Sequence, residues 1–207
     1  MSGLFITFEG GDGVGKSTQL RLLAERVAAS GREVVTTREP GGTELGVEIR
    51  NIVLHHRGEI APRAEALLYA ADRAHHVETL VRPALNRGAV VVQDRYFDSS
   101  VAYQGAGRVL AGDEIRDISM WATGSLIPDL TVLLDLDPGA ARVRLDAEDK
   151  VFDRLESEKT EFHTRVRDGF LALAAAEPGR WLVIDATRTV DEIATAIGER
   201  VDALLSV

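Results

Sequence analysis

Residues Gly10-Gly11-Asp12-Gly13-Val14-Gly15-Lys16-Ser17 satisfy the pattern G-x-x-x-x-G-K-[ST]. Glycines at these spacings let successive backbone N–H groups turn inward around phosphate oxygens, where a Cβ would clash. The loop follows an apolar run and opens a helix whose N-terminus carries partial positive charge. Lys16 is then placed to reach β- and γ-phosphates, and the Ser17 hydroxyl to ligate Mg²⁺. The chemistry is the binding of a nucleoside triphosphate and the handling of its terminal phosphoryl group. The motif alone does not choose between a kinase, a GTPase and a motor ATPase. None of the three lysines (Lys16, Lys150, Lys159) follows an asparagine, so the N-K-x-D signature of guanine-specific GTPases is missing. A helicase or motor needs more chain for its nucleic-acid surface, which leaves a small-molecule kinase.

Other residues have the chemistry of an acceptor site. Asp94-Arg95 ends an apolar strand, the place where open α/β sheets bind ligands. An acidic group there holds Mg²⁺ through water, and an arginine there clamps a transferring phosphoryl group. The same pair also reads as a structural ion pair. Tyr69 and Arg73 are spaced i, i+4 on one predicted helix, so a ring and a guanidinium stand side by side for a nucleobase. Ser100, Tyr103 and Gln104 share a face in the same way. Read alone, both spacings also describe ordinary partly buried helix faces. Asp12 is the odd residue of the phosphate loop. A carboxylate beside a triphosphate is electrostatically unfavourable unless it serves a second ligand, such as a sugar hydroxyl.

The elements that must position these groups alternate. Apolar strands are expected at Leu4–Glu9, Glu33–Thr37, Ala89–Gln93, Thr131–Leu136 and Trp181–Ile184. Helices are expected at Lys16–Ala29, Glu44–His55, Arg63–Asn86, near Ser99–Gln104 and up to Thr123. A charged segment, Arg142–Glu161, leads into a helix reaching Ala176, and a last helix carries Val190, Ile193, Ile197, Val201 and Leu204 on one face. This pattern predicts an α/β fold: a five-stranded parallel sheet flanked by helices in three layers, the P-loop NTPase arrangement, as a single domain over 1–207. The 207 residues, 45% hydrophobic and 28% charged, suit one domain with a sizeable core.

A net charge of −9 argues against a surface that binds nucleic acid as a whole, while leaving room for a local cationic pocket. The absence of cysteine excludes a disulfide framework and thiolate metal sites. No apolar run is long enough to span a bilayer and the N-terminus has no secretory signal, so a cytoplasmic protein without a membrane partner is expected.

Taken together, several stretches resemble the bacterial thymidylate kinases: Phe8 through Thr18, Thr37-Arg38-Glu39-Pro40-Gly41-Gly42-Thr43, Tyr69 through Arg73, and Asp94-Arg95-Tyr96 through Tyr103-Gln104-Gly105. Pro128-Asp129-Leu130-Thr131 and Asp153-Arg154-Leu155-Glu156 extend the resemblance over nearly the whole chain. It implies phosphorylation of dTMP to dTDP by Mg·ATP. By that likeness, the loop Gly10–Thr18 and Arg144 bind ATP, and Lys16, Arg95 and Asp94 form the catalytic group. Ser17 and, through water, Asp94 serve the metal. Asp12 accepts from the 3′-hydroxyl, Tyr103 crowds out a 2′-hydroxyl, and Tyr69 lies against thymine. Arg73, Ser100 and Gln104 make the base's polar contacts, while Arg38 lies near the acceptor phosphate and Arg95 bridges it to the γ-phosphoryl. Gly13 stands where some members carry an arginine. Members without it place arginines in the lid, about 140–158 here, which offers Arg142, Arg144, Lys150 and Arg154. A homodimer is implied on the same basis.

Overall fold

A computed structural model describes residues 3–106, 111–147, 154–155 and 157–206. Lys150, Asp153 and Glu156 of the lid segment lie outside the described residues. Five parallel strands form one sheet in the order β2-β3-β1-β4-β5: β1 (Leu4–Glu9), β2 (Val34–Arg38), β3 (Val90–Asp94), β4 (Leu130–Asp135) and β5 (Trp181–Asp185). The α/β expectation holds. β1 lies centrally, and every one of its residues is buried, as in a parallel strand covered on both sides. Register aligns Phe8 with Asp94 and Arg38 with Asp94, so the carboxyl ends of β1, β2 and β3 share one edge. That edge is where the site is built.

Helix α1 (Lys16–Ala29) and helix α9 (Val190–Leu205) cover one face, packing Leu23, Val27, Ile193, Ile197 and Val201 on Ile6, Phe8, Val90 and Val132. α9 begins with a capping box, Thr189 and Glu192 satisfying each other's backbone N–H groups. On the opposite face, Phe5 and Val91 pack on Val77, Val81, Tyr96 and Phe97. Leu133 meets Phe162, Val166 and Phe170 of helix α8 (Thr160–Ala176).

Helix α2 (Glu44–His55) is capped by the Thr43 hydroxyl, which accepts from the Gly46 N–H at 3.0 Å. The single helix expected over 63–86 is three pieces: α3 (Pro62–His76), a π-helical turn (Val77–Val81) and α4 (Arg82–Asn86). Pro83 has no N–H for the carbonyl four residues before it, and the wider turn absorbs that loss. The short helix expected near Ser99 likewise begins earlier, as α5 (Phe97–Ser100), and continues as a π-turn (Val101–Ala106). Helix α6 (Gly112–Thr123) follows.

Helix α7 (Pro138–Asp146) begins just past the strand expected at Thr131–Leu136, where no helix was expected. Pro138 does not end an element here. It occupies the first turn of a helix whose cap is Asp137, whose carboxylate accepts from the N–H groups of Gly139 and Ala140. No helix among the described residues is long and apolar enough to cross a membrane.

Candidate active site

The phosphate loop leaves β1 and enters α1 with Gly10, Gly13 and Gly15 at φ of 130°, 75° and 97°, a region that glycine enters freely. Val14 is buried in the core beneath it and anchors the turn. Lys16 is buried, and its ammonium donates to the carbonyls of Gly10 at 3.1 Å and Gly11 at 2.5 Å. Burial and the nearby Arg95 hold its pKa below the usual lysine value, with Asp94, Asp12 and Glu9 opposing. Ser17 and Thr18, in the first turn of α1, are exposed at the mouth.

Beyond the loop opens a cavity of about 690 Å³. Asp12, Gly13, Val14, Gly15, Lys16, Ser17 and Thr18 form its phosphate end. Arg38, Tyr69 and Arg73 line it from the β2 and α3 side, with Asp94, Arg95, Ser100, Tyr103 and Gln104 from β3 and the turns after it. Arg144 reaches it from α7. Gly10 and Gly11 line instead a smaller cavity of about 260 Å³ between β4, α7 and α8. That space shares Asp12 and Tyr103 but lacks Lys16, Arg95 and Asp94, so the larger cavity is where phosphoryl chemistry has its groups.

Arg95 is the hinge of the site. Its backbone has φ 63°, unusual for a residue with a Cβ. The guanidinium donates to Asp12 Oδ1 at 2.6 Å, Gly10 O at 3.1 Å and Ser99 Oγ at 3.2 Å. It also lies 5.1 Å from the centre of the Tyr103 ring. Burial alone would weaken its charge, but Tyr103, Asp12 and Asp94 more than restore it, so Arg95 stays cationic. Tyr103 donates to the other Asp12 oxygen at 3.4 Å, and its hydroxyl is pushed above the usual phenol range by burial. Asp94 keeps Oδ1 buried with no hydrogen-bond partner among the described residues. An unpaired buried carboxylate oxygen is unfavourable unless a cation or metal-bound water completes it, so the donor fits a hard divalent ion.

Arg73 is buried and held on every side. It donates to Glu39 at 2.8 Å, to the hydroxyls of Ser119 and Ser100 at 3.0 Å, and to the Tyr96 carbonyl at 3.3 Å. Glu39 also lies 2.8 Å from His76 Nδ1, and His76 Nε2 lies 2.7 Å from the Thr37 hydroxyl, so the ring ties the carboxylate to β2. Gln104 donates to Glu65 at 3.1 Å. Tyr69 is buried against the α8 cluster.

The three lid cations among the described residues separate. Arg144 lines the large cavity and donates to the Ala186 carbonyl at 2.9 Å. Arg142 pairs with Asp146 and lines the smaller cavity. Arg154 turns away from the phosphate loop, donating to the Val53 carbonyl and pairing with buried Glu65. The structure also explains Gly13: a Cβ there would come within 2.8 Å of Leu145 Cγ and 2.9 Å of the Ala141 carbonyl. Helix α7 leans on the loop at the spot where an arginine would otherwise stand.

Sequence reading missed Glu9, Glu39, Arg50 and Ser99. Arg50 lines the cavity and donates to the Pro40 carbonyl at 2.9 Å. Glu9, Glu39 and Ser99 lie inside stretches that carry the resemblance, which was the available signal. Arg50, in the middle of a surface helix, had none.

The geometry agrees with comparison to known proteins. A sequence profile described as thymidylate kinase matches residues 8–197. The thymidylate kinase of Clavibacter michiganensis subsp. michiganensis is 71% identical over 206 residues, covering 100% of this chain and 98% of the relative. That of Leifsonia xyli subsp. xyli is 68% identical over 200 residues, covering 97% and 95%. That of Deinococcus radiodurans is 54% identical over 195 residues, covering 94% of each. A parallel sheet ending in a phosphate loop, a buried arginine beside an aromatic ring and full-length likeness at this level lead to one conclusion: the chain belongs to the thymidylate kinase family.

Proposed function

We infer that this chain is an ATP:dTMP phosphotransferase, moving the γ-phosphoryl group of ATP to dTMP to give dTDP for dTTP synthesis and DNA replication. One observation carries the reading: Lys16 and Ser17 share a single cavity with Tyr69, Arg73, Ser100, Tyr103 and Gln104, and Asp12 stands between the two sets. The attacking group is a phosphate oxygen already ionised at neutral pH, so no strong general base is needed. Catalysis reduces to alignment and charge neutralisation.

Lys16 and Arg95 supply the fixed positive charge on the donor and bridging sides, with Arg38 near the acceptor phosphate. Arg73, Ser100 and Gln104 recognise the base, and Tyr69 lies against its ring. Asp12 takes the 3′-hydroxyl, and Tyr103 excludes a 2′-hydroxyl. Ser17 and Asp94, the latter through water, hold Mg²⁺, which neutralises charge on the transferring phosphates when bound. The buried, unpartnered Asp94 Oδ1 supports that assignment. Arg144 is the lid cation, supported by its place in the cavity wall.

We read the chain as one P-loop kinase domain with a lid at about 140–158, cytoplasmic, and without a nucleic-acid or membrane partner. A homodimer follows from family analogy and is supported by α3 and α6, which pack together and leave Leu67 and Trp121 exposed. The deciding experiment is a coupled assay of Mg·ATP-dependent phosphorylation across the common nucleoside monophosphates. Turnover should be greatest with dTMP. Strong turnover of dUMP or dCMP with none of dTMP would overturn the reading, as would ATP binding without transfer to any acceptor.

A further inference from the structure

We propose that Glu9 and Ser99 are positioning residues for Arg95, a clamp that holds both the backbone and the guanidinium of that arginine at the phosphate loop. The inference rests on the reading of this site as an ATP:dTMP phosphotransferase with Arg95 at the transferring group. Neither residue carries a role in that reading.

Arg95 needs holding because its backbone is left-handed, at φ 63°, a conformation unfavourable for a residue with a Cβ. Its own N–H donates to the Phe8 carbonyl at 2.9 Å, and its carbonyl accepts from Gln93 at 2.9 Å. The next N–H, of Tyr96, donates to Glu9 Oε1 at 2.8 Å. The second Glu9 oxygen lies 2.5 Å from Ser99 Oγ, and Ser99 Oγ accepts from Arg95 Nη1 at 3.2 Å. One carboxyl group therefore takes the main chain just after Arg95 with one oxygen, and with the other the hydroxyl that touches the guanidinium.

Glu9 is fully buried at the end of β1. A carboxyl group in that position is expensive unless its partners require it, and its two side-chain partners both belong to the turn that Arg95 opens. Burial and the neighbouring Asp98 carboxylate push it up to about 8, with Ser99, Arg95 and the Tyr96 N–H pulling the other way. The clamp survives either protonation state. A protonated Glu9 donates to Ser99 Oγ, and an ionised one accepts from it. In both, the serine oxygen keeps a lone pair for the arginine N–H. Glutamine reproduces the protonated form, with its carbonyl on Tyr96 and its amide N–H on Ser99.

The test is a double-mutant cycle. Steady-state kcat and KM for ATP and dTMP are measured for the wild type and for Ser99→Ala, each also with Arg95→Lys, whose point charge lacks the guanidinium fork. Ser99→Ala should lower kcat about tenfold or more, with both KM values within about threefold. In the Arg95→Lys background the same change should move kcat less than about threefold, because the group it serves is gone. Glu9→Leu should reproduce the Ser99→Ala loss, and Glu9→Gln should restore kcat to within about threefold of wild type. Should Glu9→Leu fail to fold, Ser99→Ala and Glu9→Gln, checked for an unchanged Tm, carry the test. The proposal is overturned if Ser99→Ala leaves kcat unaffected, if it acts equally in both backgrounds, or if Glu9→Gln loses tenfold or more. A wild-type protein that does not phosphorylate dTMP overturns the functional reading instead, before any variant is compared.

Discussion

Asp72 offers a perturbation whose size and sign both follow from its surroundings. Its neighbour Arg73 lines the large cavity, whereas Asp72 is buried with its carboxyl facing the turn after β2, where Oδ1 accepts from the Gly41 N–H at 3.3 Å. Oδ2 has no hydrogen-bond partner among the described residues. Burial, with the Glu39 carboxylate second, raises its pKa from 3.8 to about 6, against the pull of the Gly41 N–H, His76 and Arg73. A carboxyl whose pKa is higher in the folded than in the unfolded state binds more protons when folded, so its contribution to stability falls as pH rises between those two values. Relative to the protonated form, ionised Asp72 is unfavourable by about 3 kcal/mol above that window and by about 1 kcal/mol at pH 4.5. Asp72→Asn stays neutral at every pH and keeps a carbonyl for Gly41. The variant should therefore be more stable than wild type at pH 7.5, and its advantage should shrink by about 2 kcal/mol at pH 4.5. Urea unfolding of both proteins at the two pH values measures this directly. A stability difference that is flat with pH, or that grows on acidification, refutes the reasoning.

Three other perturbations test separate parts of the site. Lys16→Ala should remove about 3 kcal/mol or more of transition-state stabilisation, seen as a fall in kcat of at least about a hundredfold; a kcat within tenfold of wild type would contradict its role. Tyr103→Ala removes both the ring against Arg95 and the hydroxyl near Asp12. The ratio of kcat/KM for dTMP over its ribose analogue should drop by about tenfold, and an unchanged ratio would place sugar selection elsewhere. Gly13→Ala combines a positive φ with contacts of 2.8 and 2.9 Å to α7. It should lower stability by about 2–4 kcal/mol, read as a lower urea midpoint at constant slope; an unaltered midpoint would mean that α7 yields freely.

The parts of this site that were legible in sequence are those whose geometry is local. The phosphate loop is one continuous turn, so Gly10–Ser17 carries its own meaning, and Asp94-Arg95 is marked by the strand it ends. Strand and helix periodicities assigned the layers because a parallel sheet needs apolar strands and amphipathic cover. The pairings between distant segments were not legible. Glu39 with Arg73, Glu65 with Arg154, and Asp98 with Arg180 bring together residues 34, 89 and 82 positions apart. A periodicity tells which face a residue occupies, never which carboxylate will meet it. Helix α7 was missed for a related reason: Asp137-Pro138 is both a plausible strand end and a good helix start, and only the packing of Ala141 and Leu145 decides. The meaning of Gly13 depended on that helix, so it was hidden too.

These long-range pairs explain how a chain of net charge −9 can offer a cationic cavity. Arginines alone would repel one another and would not hold one orientation. Here Arg73 is fixed by Glu39 and Arg95 by Asp12, at 2.8 and 2.6 Å. Such pairs add little net stability, since desolvation offsets most of their attraction. What they supply is preorganisation: a guanidinium already oriented loses little freedom when a phosphate or base arrives. Lys16 follows the same logic with neutral partners, its ammonium resting on the Gly10 and Gly11 carbonyls. It can exchange those weak acceptors for phosphate oxygens without leaving a buried charge unpaired. The overall charge of the chain therefore says little about the ligand's sign, because the cavity's charge is set one carboxylate at a time.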